Sequence, residues 1–341
     1  KNYAEYVLEH RMAQNSDRVY NLLNQLLKAY KPTALREIKQ LQAFAEKKEG
    51  HPVELMPWDY SYYSTLQKDE LYDLNDEMLK PYFELEQVKK GVFGLATRLY
   101  GLTFKKNSEI PVYHPEVETF EVFDEDGSYL GVLYTDFYPR STKQGGAWMT
   151  SFKDQWITRE GENSRPHISL VMNFTRPTES TPALLTYDEV ETFLHEFGHA
   201  LHGLMANSRY ESLSGTNVYR DFVELPSQLM ENWLPEQEFL ETFAHHHLTG
   251  EVLPDSLIQK IRNTQRYHVG YHCVRQLTFG MLDMAWHTQT EKIEDITAFE
   301  QNAISPTQLL PVIDGTLISS QFSHVCLLYT SPSPRDISGS R

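Results

Sequence analysis

Apolar residues recur at helical spacing from the start of the chain: Tyr6, Val7, Met12, Val19, Leu22, Leu23, Leu26 and Leu27. Repeats three and four apart mark helices that bury one face. The pattern predicts helices over 18–29, 34–48 and 69–100, the last broken near Pro81 and Gly91, because proline lacks a backbone donor and glycine weakens a helix. Aromatic residues crowd this region (Trp58, Tyr60, Tyr62, Tyr63, Tyr72, Tyr82, Phe83) and are read as helix–helix packing. Near residue 110 the period falls from 3.6 to 2. Glu118–Phe123 alternates, Asp126 and Gly127 supply a hairpin turn, and residues 129–134 return as a second strand. Residues 145–149 and 167–174 read as two further strands. Helical spacing resumes near Thr186 and holds to about residue 300. The expected fold class is therefore mainly α with a small antiparallel β-sheet. There is no internal repeat and no glycine-rich phosphate loop.

Charge narrows the partners. The 341 residues carry 31 Lys and Arg against 47 Asp and Glu, a formal charge of −16. A field of that sign repels phosphate backbones and anionic headgroups, so neither nucleic acid nor a membrane is an expected partner. Mean hydropathy is −0.50, and no run of about 18 apolar residues could form a spanning helix. Two cysteines, Cys273 and Cys326, cannot build a disulfide framework or a cysteine-rich zinc module. Both ends read as cut: the chain opens on Lys1, directly in a helical pattern, and residues 326–341 read as a foreign tail resembling a translated sequencing adaptor. Cys273 then stands alone, which suits a reducing compartment, and the cytoplasm is expected.

The chemistry gathers on one predicted helix. Thr186 and Glu189 form a T-x-x-E capping box, with Leu185 and Val190 at the staple positions. An apolar stripe of Val190, Phe193, Leu194, Phe197, Leu201 and Leu204 follows, and His195–His199 within it reads H-E-x-x-H. Residues four apart share a helix face, so both imidazoles reach one metal ion. Zinc takes tetrahedral N and O ligands with one position open for water, on which Glu196 can act as general base. The five residues alone recur by chance, and context must decide. A sheet directly before such a helix is one context in favour, since an edge strand can pair with an extended peptide. The metzincin extension fails, because His202 and Met205 stand where Gly and His are required. His202 shares the face of His195, but about 10 Å of helix separates them, so it is read as a packed histidine. The third ligand is then a carboxylate farther along: Glu211, Asp221, Glu224 or Glu231. Spacing favours Glu224 or Glu231 without choosing.

The wider motif set carries a resemblance. His195–His199 with Ala200, Leu201, His202 and Gly203, then Ser214 to Asn217, Arg220 to Gln228 and Glu231 to Trp233 resemble the thimet oligopeptidase family of zinc metallopeptidases. Trp58-Asp59, Lys80 to Phe83, Tyr138 to Arg140 and Gly145 to Met149 match it too. The resemblance spans essentially residues 1–325 and is strongest to the bacterial peptidyl-dipeptidase Dcp branch. It implies a mostly helical, two-lobed, zincin-like protein with a deep channel and one zinc ion on its floor. It implies His195, His199 and Glu224 as ligands and Glu196 as general base. Asp221 is read either as orienting a ligand histidine or as a helix cap. His324 becomes a hydrogen-bond donor to the transition state, although the family's tyrosine-rich stretch beyond it is replaced by residues 326–341. Residues 1–325 are expected to be a catalytic-domain fragment, helical over 1–105 and carrying sheet and site helices over 106–325.

The expected activity is hydrolysis of short oligopeptides with release of C-terminal dipeptides, by a monomer. The alternatives are an endopeptidase of the same family or, for this chain, a fragment that binds zinc or peptide with little or no turnover. His245, His246 and His247 are read as a solvated or capping cluster, and His268 and His272 as structural.

Overall fold

A computed structural model describes residues 2–322. They form two compact units, one from residues 2–74 and 263–322 and the other from Asn75–Arg262. The chain therefore leaves the first unit, completes the second, and returns.

The first unit opens with α1 (Tyr3–Leu8), α2 (Ser16–Glu49) and α3 (Tyr60–Tyr72). The Asn15 side chain accepts from the Arg18 N–H at 3.0 Å to start α2, and Gly50, left-handed at φ 75°, ends it. The two helices predicted over 18–29 and 34–48 are one. Pro32 deprives the Lys28 carbonyl of its partner, but the buried positions Leu27, Ala34, Leu41 and Ala45 run through as a single stripe. Burial along that stripe outweighs one missing hydrogen bond. Leu41 and Ala45 pack with Leu55, Tyr60 and Tyr63, so several of the aromatics do serve helix packing.

The second unit begins with α4 (Asp76–Leu79), a 3₁₀ turn at Lys80–Tyr82 and α5 (Leu85–Tyr100). Pro81 breaks the predicted long helix as expected. Gly91 does not. It lies inside α5, where a Cβ would come within 2.5 Å of the Phe243 ring, so its role is close packing. Five strands then form one sheet: β1 (Thr103–Lys106), β2 (Glu118–Phe123), β3 (Tyr129–Asp136), β4 (Trp148–Lys153) and, after the small ribbon β5 (Trp156–Ile157) and β6 (Asn163–Ser164), β7 (His167–Val171). Their order is β1-β2-β3-β7-β4.

The expected antiparallel sheet is mixed. β7 enters between β3 and β4 and runs parallel to β3, pairing Val132 with His167 and Asp136 with Val171. A parallel pair needs a connection of a dozen residues or more. Here β4 and the β5–β6 ribbon provide it in place of a helix. β1, which alternation did not reveal, pairs only with β2.

Helix α6 (Tyr187–Leu204) lies against one face of this sheet, where a Cβ on Gly203 would touch Ile168 of β7 at 2.8 Å. Phe193 and Phe197 of α6 meet Phe93, Phe104, Phe137 and Phe174 in an aromatic core. After it come α7 (Arg220–Glu231), α8 (Gln237–Leu240) and α9 (Asp255–Thr264).

Returning to the first unit, α10 (Val269–His287) packs along α2 through Leu27, Ala34, Val274, Leu277 and Met281, and α11 (Ile296–Ile304) follows. The buried Glu37 carboxylate accepts from the N–H groups of Gly270 and Tyr271 at 3.1 and 2.7 Å. A side chain of α2 thus caps α10, at the end where the helix dipole favours an anion. Among the described residues no helix is long and apolar enough to cross a membrane.

Candidate metal centre

The predicted capping box is formed. Thr186 Oγ1 accepts from the Glu189 N–H at 3.1 Å, and Glu189 Oε2 accepts from the Thr186 N–H at 2.8 Å. The apolar stripe of α6 is buried under the sheet, so His195, Glu196 and His199, all buried themselves, lie on a helix with almost no exposed surface. The facing element is α7. At Gly198 the two helices approach so closely that a Cβ would lie 2.6 Å from the Pro226 carbonyl oxygen. Glycine at the fourth place of H-E-x-x-H is thus a condition of the contact.

Glu224 sits within this contact. Its Oε2 lies 3.2 Å from His195 Nε2 and 3.3 Å from His199 Nε2. Ser227 Oγ donates to that same oxygen at 2.9 Å and also to the Glu224 carbonyl. Pro226, whose place in a helix the sequence left open, lies inside α7. Burial pushes the Glu224 carboxyl up, but the two imidazole edges set against it outweigh burial and hold the carboxyl well below the usual range.

The donor set fits a tetrahedral cation. Ligand distances of about 2.0–2.2 Å place ligand atoms about 3.3–3.6 Å apart on a tetrahedron, close to the two spacings seen here. Glu231 supplies a second reason. Its Oε1 lies 2.6 Å from His195 Nδ1, a distance at which the ring N–H donates to the carboxylate and the bare lone pair is left on Nε2. That lone pair faces a carboxylate oxygen, a pairing that needs a proton or a cation between the two. Among the described residues, His195, His199 and Glu224 are the group whose ligand atoms converge for a metal, all within 4.8 Å of one another.

A family model for "Peptidase family M3" matches residues 1–332. The chain belongs to this family. It is 39% identical over 328 residues to the dipeptidyl carboxypeptidase of Escherichia coli (strain K12), covering 95% of this chain and 48% of that protein. It is 41% identical over 290 residues to oligopeptidase A of Salmonella typhimurium, covering 85% of this chain and 42% of that protein. Organellar oligopeptidase A of Arabidopsis thaliana is 33% identical over 336 residues. The chain spans about half the length of the curated relatives it matches. M3 peptidases are metallopeptidases, in keeping with the motif resemblance.

Several other residues find their places. His202 is not in the convergent group. Its ring packs 6.2 Å from that of Phe222, and burial pushes its pKa down. The partner on His195 Nδ1 is Glu231, whereas Asp221 lies in the first turn of α7. Glu231 follows Glu224 by seven residues, two helical turns on one face, and this was the signal that could have given it the role. His246 Nδ1 accepts from the N–H groups of Leu248 and Thr249, so that cluster caps a turn. His268 stacks on Tyr267 and bonds to Tyr60. His324 lies outside the described residues.

Proposed function

We propose that this chain carries the centre of a zinc peptidase that hydrolyses short oligopeptides and releases C-terminal dipeptides. One zinc ion is held by His195, His199 and Glu224. The observation that carries the reading is the meeting of two imidazoles and a carboxylate from two helices, at ligand spacing, around an atom set that needs a cation. When bound, zinc supplies a Lewis acid that polarises a carbonyl and makes water more acidic. Glu196, next to His195 on the buried helix, takes a proton from the attacking water and passes it to the leaving amine. Glu231 holds the tautomer of His195, and His324 is proposed to donate to the scissile carbonyl. The relative named dipeptidyl carboxypeptidase supports removal of dipeptides, and a cytoplasmic monomer is proposed with it.

A second reading is cleavage at internal bonds, and the relatives named oligopeptidase A support oligopeptides as the substrate class under either reading. Products from an N-blocked decapeptide separate the two by mass: stepwise loss of two residues, or one persistent internal cut. As the chain spans half of those relatives, weak or no turnover is expected of it alone.

The metal site is tested by the zinc content of the purified chain. One zinc per chain is expected, and none after Glu224→Ala. Zinc retained in that variant would overturn the ligand assignment and point to Glu231. In a chain with measurable turnover, Glu196→Gln should keep its zinc and lose about 10²–10⁴-fold in rate. A variant that stays active removes Glu196 from the chemistry.

A further inference from the structure

The face of the sheet opposite α6 is furnished differently. Register sets Tyr134 and Asp136 of β3, Ser169 and Val171 of β7, and Trp148 and Thr150 of β4 on it together, and Phe152, at the irregular end of β4, joins them through its ring contacts. Residues 111–113 fold across these strands, and a cavity of about 770 Å³ is left, within the range of small-molecule sites. Its walls include Tyr113, Tyr134, Trp148 and Phe152. The Phe152 ring stands edge-on to Tyr113 and Tyr134, with centroids 5.7 and 5.5 Å away. Such a large aromatic ring, 56% exposed, is a ready surface for another ring.

Arg140 and Lys143 also line the cavity. Asp136, fully buried, accepts from each terminal nitrogen of Arg140 at 2.8 Å and from Lys143 Nζ at 3.1 Å. Two cations against one carboxylate leave a single net positive charge here, in a chain whose total is −16. Lys143 shares its remaining two hydrogens among the carbonyls of Asp136, Tyr138 and Met172 and so contributes charge alone. Arg140 gives only two of its five N–H donors to Asp136. The other three have no acceptor among the described residues, and the side chain keeps 17% of its surface open. A guanidinium fixed on one edge by a carboxylate offers its other edge to a second one.

We infer that this cavity binds a small aromatic carboxylate, with its ring among Tyr113, Trp148 and Phe152 and its carboxylate on the free edge of Arg140. One net charge matches a monoanion. The same chemistry is offered by a free N-acyl aromatic amino acid and by the C-terminal residue of a peptide. The inference requires neither the metal nor the proposed peptidase activity.

Calorimetric titration of the full chain with N-acetyl-phenylalanine tests it, with N-acetyl-phenylalaninamide as control. The acid should bind, and the amide about tenfold more weakly. Phe152→Ala, at an exposed ring that the fold does not need, should weaken the acid several-fold. Arg140→Lys should do so more strongly, because it keeps a charge beside Asp136 but loses the fork. Glu224→Ala should leave binding unchanged, which separates this cavity from the metal centre. No binding, equal binding of acid and amide, binding indifferent to both cavity variants, or binding lost in Glu224→Ala would each overturn the inference. Displacement of the bound acid from the Glu224→Ala chain by a peptide ending in a free Phe identifies peptide C-termini as the source. A failure of that peptide to displace it identifies the free amino-acid derivative.

Discussion

On one face of the sheet, His195 and His199 of α6 meet Glu224 and Glu231 of α7. On the other, Asp136 meets Arg140 and Lys143. Both clusters put charge where water is scarce, yet they are completed differently. Guanidinium and ammonium groups keep their charge at neutral pH, so Asp136 is neutralised by its own chain, and its carboxyl is held below the usual range despite burial. Imidazoles are mostly uncharged at that pH. The α6–α7 cluster therefore gathers lone pairs rather than fixed positive charges. A buried polar group with its partner built in is architecture, and one set among lone pairs is where we propose a metal ion.

Breaking the Asp136 cluster should have the largest effect. Asp136→Asn strands two buried cations, and the urea unfolding free energy should fall by about 3–5 kcal/mol. A loss below 1 kcal/mol would mean that water already reaches the cluster. A buried imidazole with no carboxylate beside it sharpens the contrast. His268 is 4% exposed, its Nδ1 meets Tyr60 OH at 2.8 Å, and burial pushes its pKa down to about 4. The folded form then binds fewer protons than the unfolded one between pH 4 and about 6.5. Its contribution to stability is complete above pH 6.5 and is lost as pH falls toward 4, by about 3 kcal/mol in all. Urea midpoints measured across that window should slope, and His268→Gln should flatten them. The smallest effect is the subtlest. Glu231→Gln keeps a hydrogen-bond acceptor for His195 but not the charge, and zinc affinity measured by competition with a chelator should fall about 10–100-fold.

Sequence patterning reached the site more easily than the fold. The capping box, the buried stripe and the two histidines are local, and a helix keeps what its spacing states. The choice between Glu224 and Glu231 is not local. It depends on which turn of α7 faces α6, and Gly198 against Pro226 decides that. Pro32 misled and Pro226 left the helix start open, because both sit inside helices that tertiary packing holds together. Gly91 misled for the opposite reason, as its lack of a side chain serves the Phe243 ring. The strands were mostly visible by alternation, but alternation does not record order. The insertion of β7 between β3 and β4 made the sheet mixed.

The division of the first unit bears on how the chain is made. Leu27 of α2 and Val274 of α10 share a core yet lie 247 positions apart in sequence. At 5–20 residues per second, a ribosome takes roughly 12–50 s to cover that stretch. Throughout that time the Leu27 and Ala34 half of the apolar stripe lacks its α10 partner while the whole of Asn75–Arg262 is being synthesised. Exposed apolar surface of that kind is prone to aggregation until its partner arrives. Stalling or cleavage anywhere before α10 would release a chain with that half of the stripe uncovered.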